Sequence, residues 1–165
     1  MKRESLEFDV VIVGAGPAGL SAACRLGQLA EEKGLDISVC LVEKGAEVGS
    51  HILSGAVFET RALDELFPDW KERGAPVRVP VEKDSFYWLF SERIGLNVPR
   101  LFVPKVMRNS GNYVVSLGRL CQWLGGQAEA LGCSIFSSFS ATDILYDQKG
   151  SVAGVVTGDV GLAAD

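Results

Sequence analysis

Short apolar runs alternate with a helical pattern at the start of the chain, and the alternation predicts a strand, a helix and a second strand. Val10 to Val13 is unbroken apolar sequence, as in a strand buried on both faces of a parallel sheet. From Pro17 to about Lys33, the apolar positions Leu20, Ala23, Leu26, Gly27 and Ala30 share one helical face, while Glu31, Glu32 and Lys33 turn to water. Gly34 supplies the C-cap, and Ile37 to Val42 reads as the second strand, closed by Glu43. The pattern loosens beyond residue 50. Ile52 to Phe58 is rich in small residues, and Thr60 is placed to cap a short helix, Arg61 to Phe67, that Pro68 ends. Pro76, Pro80, Pro99 and Pro104 then punctuate short strands and loops. Order returns with a strand at Tyr113 to Ser116. Leu117, Leu120, Cys121, Leu124, Ala128 and Leu131 follow at helical spacing up to Gly132. Ser134 to Phe136 and Ala141 to Tyr146 read as strands, and a turn at Asp147 to Gly150 leads into a return strand, Val152 to Thr157.

The chemistry concentrates where the first strand meets the first helix, in Gly14-Ala15-Gly16-Pro17-Ala18-Gly19. Gly14 can leave the strand through backbone angles closed to other residues. Gly16 lets main chain approach a pyrophosphate, and Gly19 lets the helix pack against the strand. Pro17 suits the first helical position, where no N–H is required. The positive end of the helix then faces any anion above the turn. Glu43 stands at the tip of the second strand, where a ribose hydroxyl pair needs an acceptor. It lies 24 residues beyond Gly19, against a usual spacing of about 20; the added Glu31-to-Asp36 segment accounts for the excess. Glu43 would repel a 2′-phosphate, so NADP is disfavoured, and NAD and FAD both remain open on these residues.

Phe86-Tyr87-Trp88-Leu89-Phe90 breaks the alternation expected of a half-exposed strand. Two readings stand side by side. One is a buried strand in the core of a second domain. The other is an exposed ridge at a membrane interface, where Trp and Tyr are favoured and Arg93, Arg100 and Lys105 would meet headgroups.

Composition narrows the function classes. A net charge of −5 gives no electrostatic footprint for nucleic acid, and there is no run of about 18 apolar residues to form a membrane-spanning helix. The first strand follows Met1 closely, which leads us to expect no signal peptide and a cytoplasmic protein. Cys24, Cys40, Cys121 and Cys133 form no Cys-x-x-Cys pair and read as buried free thiols. His51 is read as a loop residue without a partner for general-base chemistry.

Val11 to Ala23, joined with Val42-Glu43-Lys44-Gly45-Ala46-Glu47-Val48-Gly49-Ser50-His51-Ile52-Leu53-Ser54-Gly55-Ala56-Val57, resembles the electron transfer flavoprotein–ubiquinone oxidoreductase family. Leu66 to Trp70, Gly111 to Gly118 and Gly154 to Asp159 continue the likeness. The resemblance implies an α/β, Rossmann-like FAD-binding domain of glutathione-reductase type, interrupted by an insertion and incomplete at its C-terminus. Residues 1–75 would hold the first βαβ segment with the loop and helix after it, 76–112 the insertion, and 113–165 the return to the FAD domain. It also implies electrons taken from reduced electron transfer flavoprotein and passed to ubiquinone, at the inner face of a bacterial plasma membrane, through FAD and a [4Fe–4S] cluster whose ligands lie outside this chain. The implied FAD contacts are Gly14, Ala15, Gly16, Pro17, Ala18 and Gly19, with Glu43 on the ribose and Lys44 beside it. Ser54, Gly55 and Ala56 are expected nearer the flavin ring. Two other classes stay open. One is a related flavoprotein, either of the nitrogen-fixation electron-transfer type or an NAD(P)H-dependent flavin reductase or hydroxylase. The other is a non-catalytic nucleotide-binding fragment.

Overall fold

The computed structural model describes residues 4–158; Asp159 and the Gly161–Asp165 end lie outside them. The elements run, in chain order, β1 (Val10–Val13), α1 (Pro17–Lys33), β2 (Val39–Glu43), β3 (Ala56–Phe58), α2 (Arg61–Leu66), β4 (Val79–Pro80), β5 (Phe86–Ser91), β6 (Ile94–Val98), β7 (Tyr113–Val115), α3 (Leu117–Ala130), β8 (Ser134–Ser137), β9 (Ala141–Tyr146) and β10 (Val152–Thr157). They fall into two compact units. The first joins residues up to Ser54 with those from Ser116 onward, and the second is Gly55–Val115. The short helix α2 and the proline-punctuated stretch thus sit together in the second unit.

The first unit is built on a parallel sheet of order β1–β2–β8. Ile12 lies beside Leu41, and Leu41 beside Ile135. These three share one face of the sheet. A methyl group added at Gly19 of α1 would touch Ile12, and one added at Gly125 of α3 would touch Ile135, so both helices cover that face. Leu20 and Leu120, from the two helices, and Leu41 between them are fully buried, each stabilising the fold by about 1.5–3 kcal/mol. Helix α1 begins at Pro17 and stops at Gly34, which adopts φ 62° and donates its N–H to the Glu31 carbonyl. Asp9 ties the entries of β1 and β2 by accepting the backbone N–H of Ser38 at 2.8 Å and its hydroxyl at 2.7 Å. Those bonds hold the Asp9 carboxyl below its ordinary pKa. Asp147 organises the β9–β10 turn, one carboxylate oxygen accepting the amides of Lys149 and Ser151.

Strand β1 differs from expectation on one face. Val11 and Val13 are 38% and 59% exposed, because α1 and α3 pack against the Ile12 side and not the other. On that other face Phe136 carries edge-to-face contacts with Phe8 and Phe139. Strand β2 starts two residues later than the apolar run suggested, at Val39.

All four cysteines are free and buried, in agreement with the sequence. Cys24 donates toward the Leu124 carbonyl and Cys133 toward that of Ala23, which links α1 to the middle of α3 and to the turn that follows it. Burial, with the nearby Cys133 thiol, pushes the Cys24 pKa up to about 12.

The second unit pairs β3 and β4 with β7, all antiparallel, and packs Leu63, Phe67, Trp70, Ala75, Val77 and Val103 into a small core. Trp70 donates its indole N–H to Asp64 at 2.7 Å and meets Tyr113 edge to face. Thr60 does not cap the backbone of α2 as anticipated; its hydroxyl donates to the Asp64 carboxylate four residues on. The larger correction concerns Phe86–Phe90. The run forms β5 of a two-stranded hairpin with β6, outside the core, and Trp88, Leu89 and Phe90 are 59%, 73% and 66% exposed. The buried-strand reading fails because α2 and the residues after it already fill the core. No third strand pairs with the hairpin among the described residues.

Candidate cofactor site

The chain leaves β1 at Gly14, where φ is 97° and the N–H still reaches the Val42 carbonyl of β2 at 2.8 Å. Ala15 is buried, and its N–H donates to Oε2 of Glu43 at 2.9 Å. Gly16 is the N-cap of α1, with an ordinary φ of −83°. The helix ladder starts only at Leu20, whose N–H donates to the Gly16 carbonyl. Pro17 has no N–H. The amides of Gly16, Ala18 and Gly19 therefore find no acceptor among the described residues. No side chain caps the helix and no acidic residue sits in its first turn. A cluster of unpaired amides at a helix N-terminus is an anion site by electrostatics alone.

The three glycines divide the labour. Gly14 is required by its positive φ. Gly19 is required by packing, since a Cβ there would run into the carbonyl oxygen of Gly14 and crowd Ile12. Gly16 is required by neither: its φ is open to any residue, and a Cβ would meet nothing within 4 Å. The space above Gly16 is one that a Cβ would fill and that the protein leaves clear. A dinucleotide diphosphate fits that combination of bare amides and empty space.

Glu43 links the turn to the segment that follows it. Oε2 holds the Ala15 amide, and Oε1 accepts the Gly45 amide at 2.7 Å. A carboxylate has lone pairs beyond these two bonds, so ribose hydroxyls remain within its acceptor capacity. Its charge, second to burial, pushes the Cys121 pKa up to about 11. Lys44 and His51 are exposed. Ser54 approaches Ser116, the N-cap of α3, with hydroxyl oxygens 3.4 Å apart. Gly55 and Ala56 begin the second unit. Sequence reasoning missed Gly45, Gly49 and Gly118. A Cβ on Gly45 would press against the Ser50 hydroxyl, and one on Gly49, where φ is 87°, would lie 2.5 Å from the Gly118 carbonyl oxygen. The loop after Glu43 is thereby seated on the first turn of α3. An isolated glycine inside a helical pattern was the available signal for Gly118.

Two open hollows lie elsewhere. One of about 310 Å³ is lined by Glu47, Val48, residues of α3, Ile135 and Ser137. One of about 420 Å³ lies within the second unit, among Glu59, Thr60, Arg61, Asp64, Glu65 and Ser110–Asn112. Neither includes the glycine turn, whose recognition chemistry is exposed amides rather than enclosed apolar volume.

Residues 12–68 match the family model described as an NAD(P)-binding Rossmann-like domain. Over 162 residues the chain is 64% identical to the electron transfer flavoprotein–ubiquinone oxidoreductase of Pseudomonas aeruginosa, covering 98% of this chain and 29% of that protein. The chain resembles the electron transfer flavoprotein–ubiquinone oxidoreductases. It spans less than a third of the length of these relatives. Among solved structures, it resembles a geranylgeranyl bacteriochlorophyll reductase-like protein of Thermoplasma acidophilum, with a TM-score of 0.63, 19% identity, and coverage of 91% of this chain and 34% of that one. It also resembles a myxobacterial chondrochloren halogenase, a variant of FAD-dependent halogenases, with a TM-score of 0.58, 21% identity, and coverage of 90% of this chain and 32% of that one. These likenesses show the fold, and the α/β, Rossmann-like class expected from the sequence holds.

The glycine geometry makes a paired prediction. Gly16→Ala should change thermal stability little, within about 1 kcal/mol, yet weaken dinucleotide binding by at least about tenfold. Gly19→Ala should destabilise the fold by about 1–3 kcal/mol as the Gly14 carbonyl is displaced. Calorimetric melting and ligand titration of both variants check this. A Gly16→Ala protein that binds as tightly as wild type would show that the cleared space is not the diphosphate site.

Proposed function

We propose that this chain is the FAD-cradling part of an oxidoreductase that takes electrons from reduced electron transfer flavoprotein and delivers them to ubiquinone at a membrane surface. The observation that carries this reading is the sequence likeness, 64% identity over 162 residues and 98% of the chain. The cradle's own chemistry suits a dinucleotide without a 2′-phosphate, and FAD is one. The amides of Gly16, Ala18 and Gly19 would bind the diphosphate, and Glu43 would accept the adenosine ribose hydroxyls and repel a 2′-phosphate. FAD, when bound, supplies the redox chemistry; the chain's residues bind it, orient it and need no acid or base for electron transfer. In this reading Lys44 flanks the ribose, and Ser54, Gly55 and Ala56 contribute main chain nearer the flavin. The [4Fe–4S] cluster of the proposed relay would draw its ligands from elsewhere. Among the described residues no group of three or more His, Cys, Asp or Glu is arranged to hold a metal ion.

The membrane arm of the proposal rests on the β5–β6 hairpin. Tyr87, Trp88, Leu89, Phe90, Ile94 and Leu96 are exposed together on it. Such a patch marks an interaction surface, and Trp and Tyr favour the headgroup region of a bilayer. Arg93, Arg100 and Lys105 provide cations near it in sequence. No helix among the described residues is long and apolar enough to cross a membrane. The contact proposed for the hairpin is peripheral, on the cytoplasmic face of a bacterial plasma membrane.

Two experiments test this. The complete protein, purified and mixed anaerobically with reduced electron transfer flavoprotein, should show its bound FAD becoming reduced and should then reduce a short-chain ubiquinone. Reduction by NADH or NADPH, without response to the flavoprotein donor, would instead assign a flavin reductase or hydroxylase. Trp88→Ser should weaken binding to anionic phospholipid vesicles several-fold while leaving the melting temperature nearly unchanged. A loss of stability with vesicle binding intact would contradict the membrane role of the hairpin.

A further inference from the structure

Among the described residues, Ser138 is the one non-glycine with a positive φ, 66°. Left-handed backbone is unfavourable for a residue that carries a Cβ, and it persists only where the surroundings over-determine it. The side chain does not hold it there, because the Ser138 hydroxyl makes no hydrogen bond to the described residues. The backbone does. The Ser138 N–H donates to the Gly45 carbonyl at 2.8 Å, and the Phe139 N–H donates to the Glu43 carbonyl at 2.9 Å. Strand β8 pairs Ser137 with Glu43. The left-handed step just beyond that pair departs from the extended course of the strand. With it, two successive amides reach two carbonyls of the same segment, and Phe139 meets Phe136 edge to face.

We propose that Ser138 is a positioning residue for the adenosine-ribose end of the cofactor site, acting through the backbone of Gly45 and Glu43 on the Glu43 carboxylate; this rests on the FAD reading above. The segment 43–45 is gripped from two sides. Its carboxylate receives the amides of Ala15 and Gly45, and its carbonyls receive the amides of Ser138 and Phe139. The second grip fixes the main chain from which the carboxylate projects. Without it, Glu43 is free to trade the two-amide geometry for other rotamers, and the ribose acceptor is no longer set before the cofactor arrives. Pre-setting a binding group of this kind raises affinity by removing an ordering cost.

The test is a double-mutant cycle on FAD dissociation constants, measured by flavin fluorescence with the purified protein. Ser138→Val keeps the amide but disfavours the left-handed backbone, and should weaken FAD binding by about fivefold or more. Ser138→Gly takes up that backbone without strain and should bind as wild type. In a Glu43→Gln background, Ser138→Val should change affinity by less than about twofold, because the group it positions is gone. Equal fold-losses for Ser138→Val in both backgrounds, or no loss at all, would each overturn the proposal. Melting of the FAD-free variants verifies folding, and Ser138→Thr, β-branched but retaining the hydroxyl, enters the same cycle if the valine variant does not fold. A wild-type protein that takes up no FAD overturns the underlying cofactor reading as well.

Discussion

The proposed cofactor site depends on one carboxylate. Glu43 sits at the end of β2 and accepts one backbone amide from the glycine turn and one from its own following loop. Charge-assisted bonds of this kind are stronger than neutral ones, and here they join two segments that are 28 residues apart in sequence. The turn proposed to hold a diphosphate and the strand tip proposed to face a ribose are thereby set relative to each other by the protein itself. The parallel pairing of β1 with β2 brings the two within reach. The contact of Gly19 with β1 keeps the helix N-terminus against the strand, with its dipole aimed over the turn.

The second unit follows a different constraint. A two-stranded hairpin is marginal in water, and this one displays aromatic and aliphatic side chains on its surface rather than burying them. Leu63, Phe67 and Trp70 close a separate small core with Val77 and Val103. The described residues leave the aromatic run exposed, and the hairpin enters the functional proposal on that exposure.

The strand–turn–helix at the start of the chain was more legible in the sequence than the second unit. Gly14 and Gly19 announced a strand–turn–helix because each answers a local demand, one of backbone angle and one of packing, and the position of Glu43 at the tip of β2 followed from spacing. The bounds of α1, β9 and β10 were legible from periodicity and from the glycine and aspartate signals at their ends. The exposure of Phe86–Phe90 was not, because a run of bulky apolar residues has the same pattern in a core strand and on an exposed hairpin. The open face of Val11 and Val13 was hidden for a related reason: periodicity records that a strand is apolar, not which elements cover it. The grip of Ser138 on Glu43 and Gly45 was illegible altogether, since backbone bonds between distant segments leave no mark on residue identity.

The central claim is that the amides of Gly16, Ala18 and Gly19 receive the diphosphate while the Glu43 bonds stay in place. Titrating FAD into the isotopically labelled, FAD-free protein and following backbone amide resonances tests it directly. The account predicts that the largest shifts fall on Gly16, Ala18 and Gly19. It also predicts that the amides of Ala15 and Gly45 are protected from solvent exchange both before and after FAD binds. Large shifts around Val48, Gly125 and Ile135, with the three turn amides unmoved, would contradict it and place the ligand in the hollow beside α3.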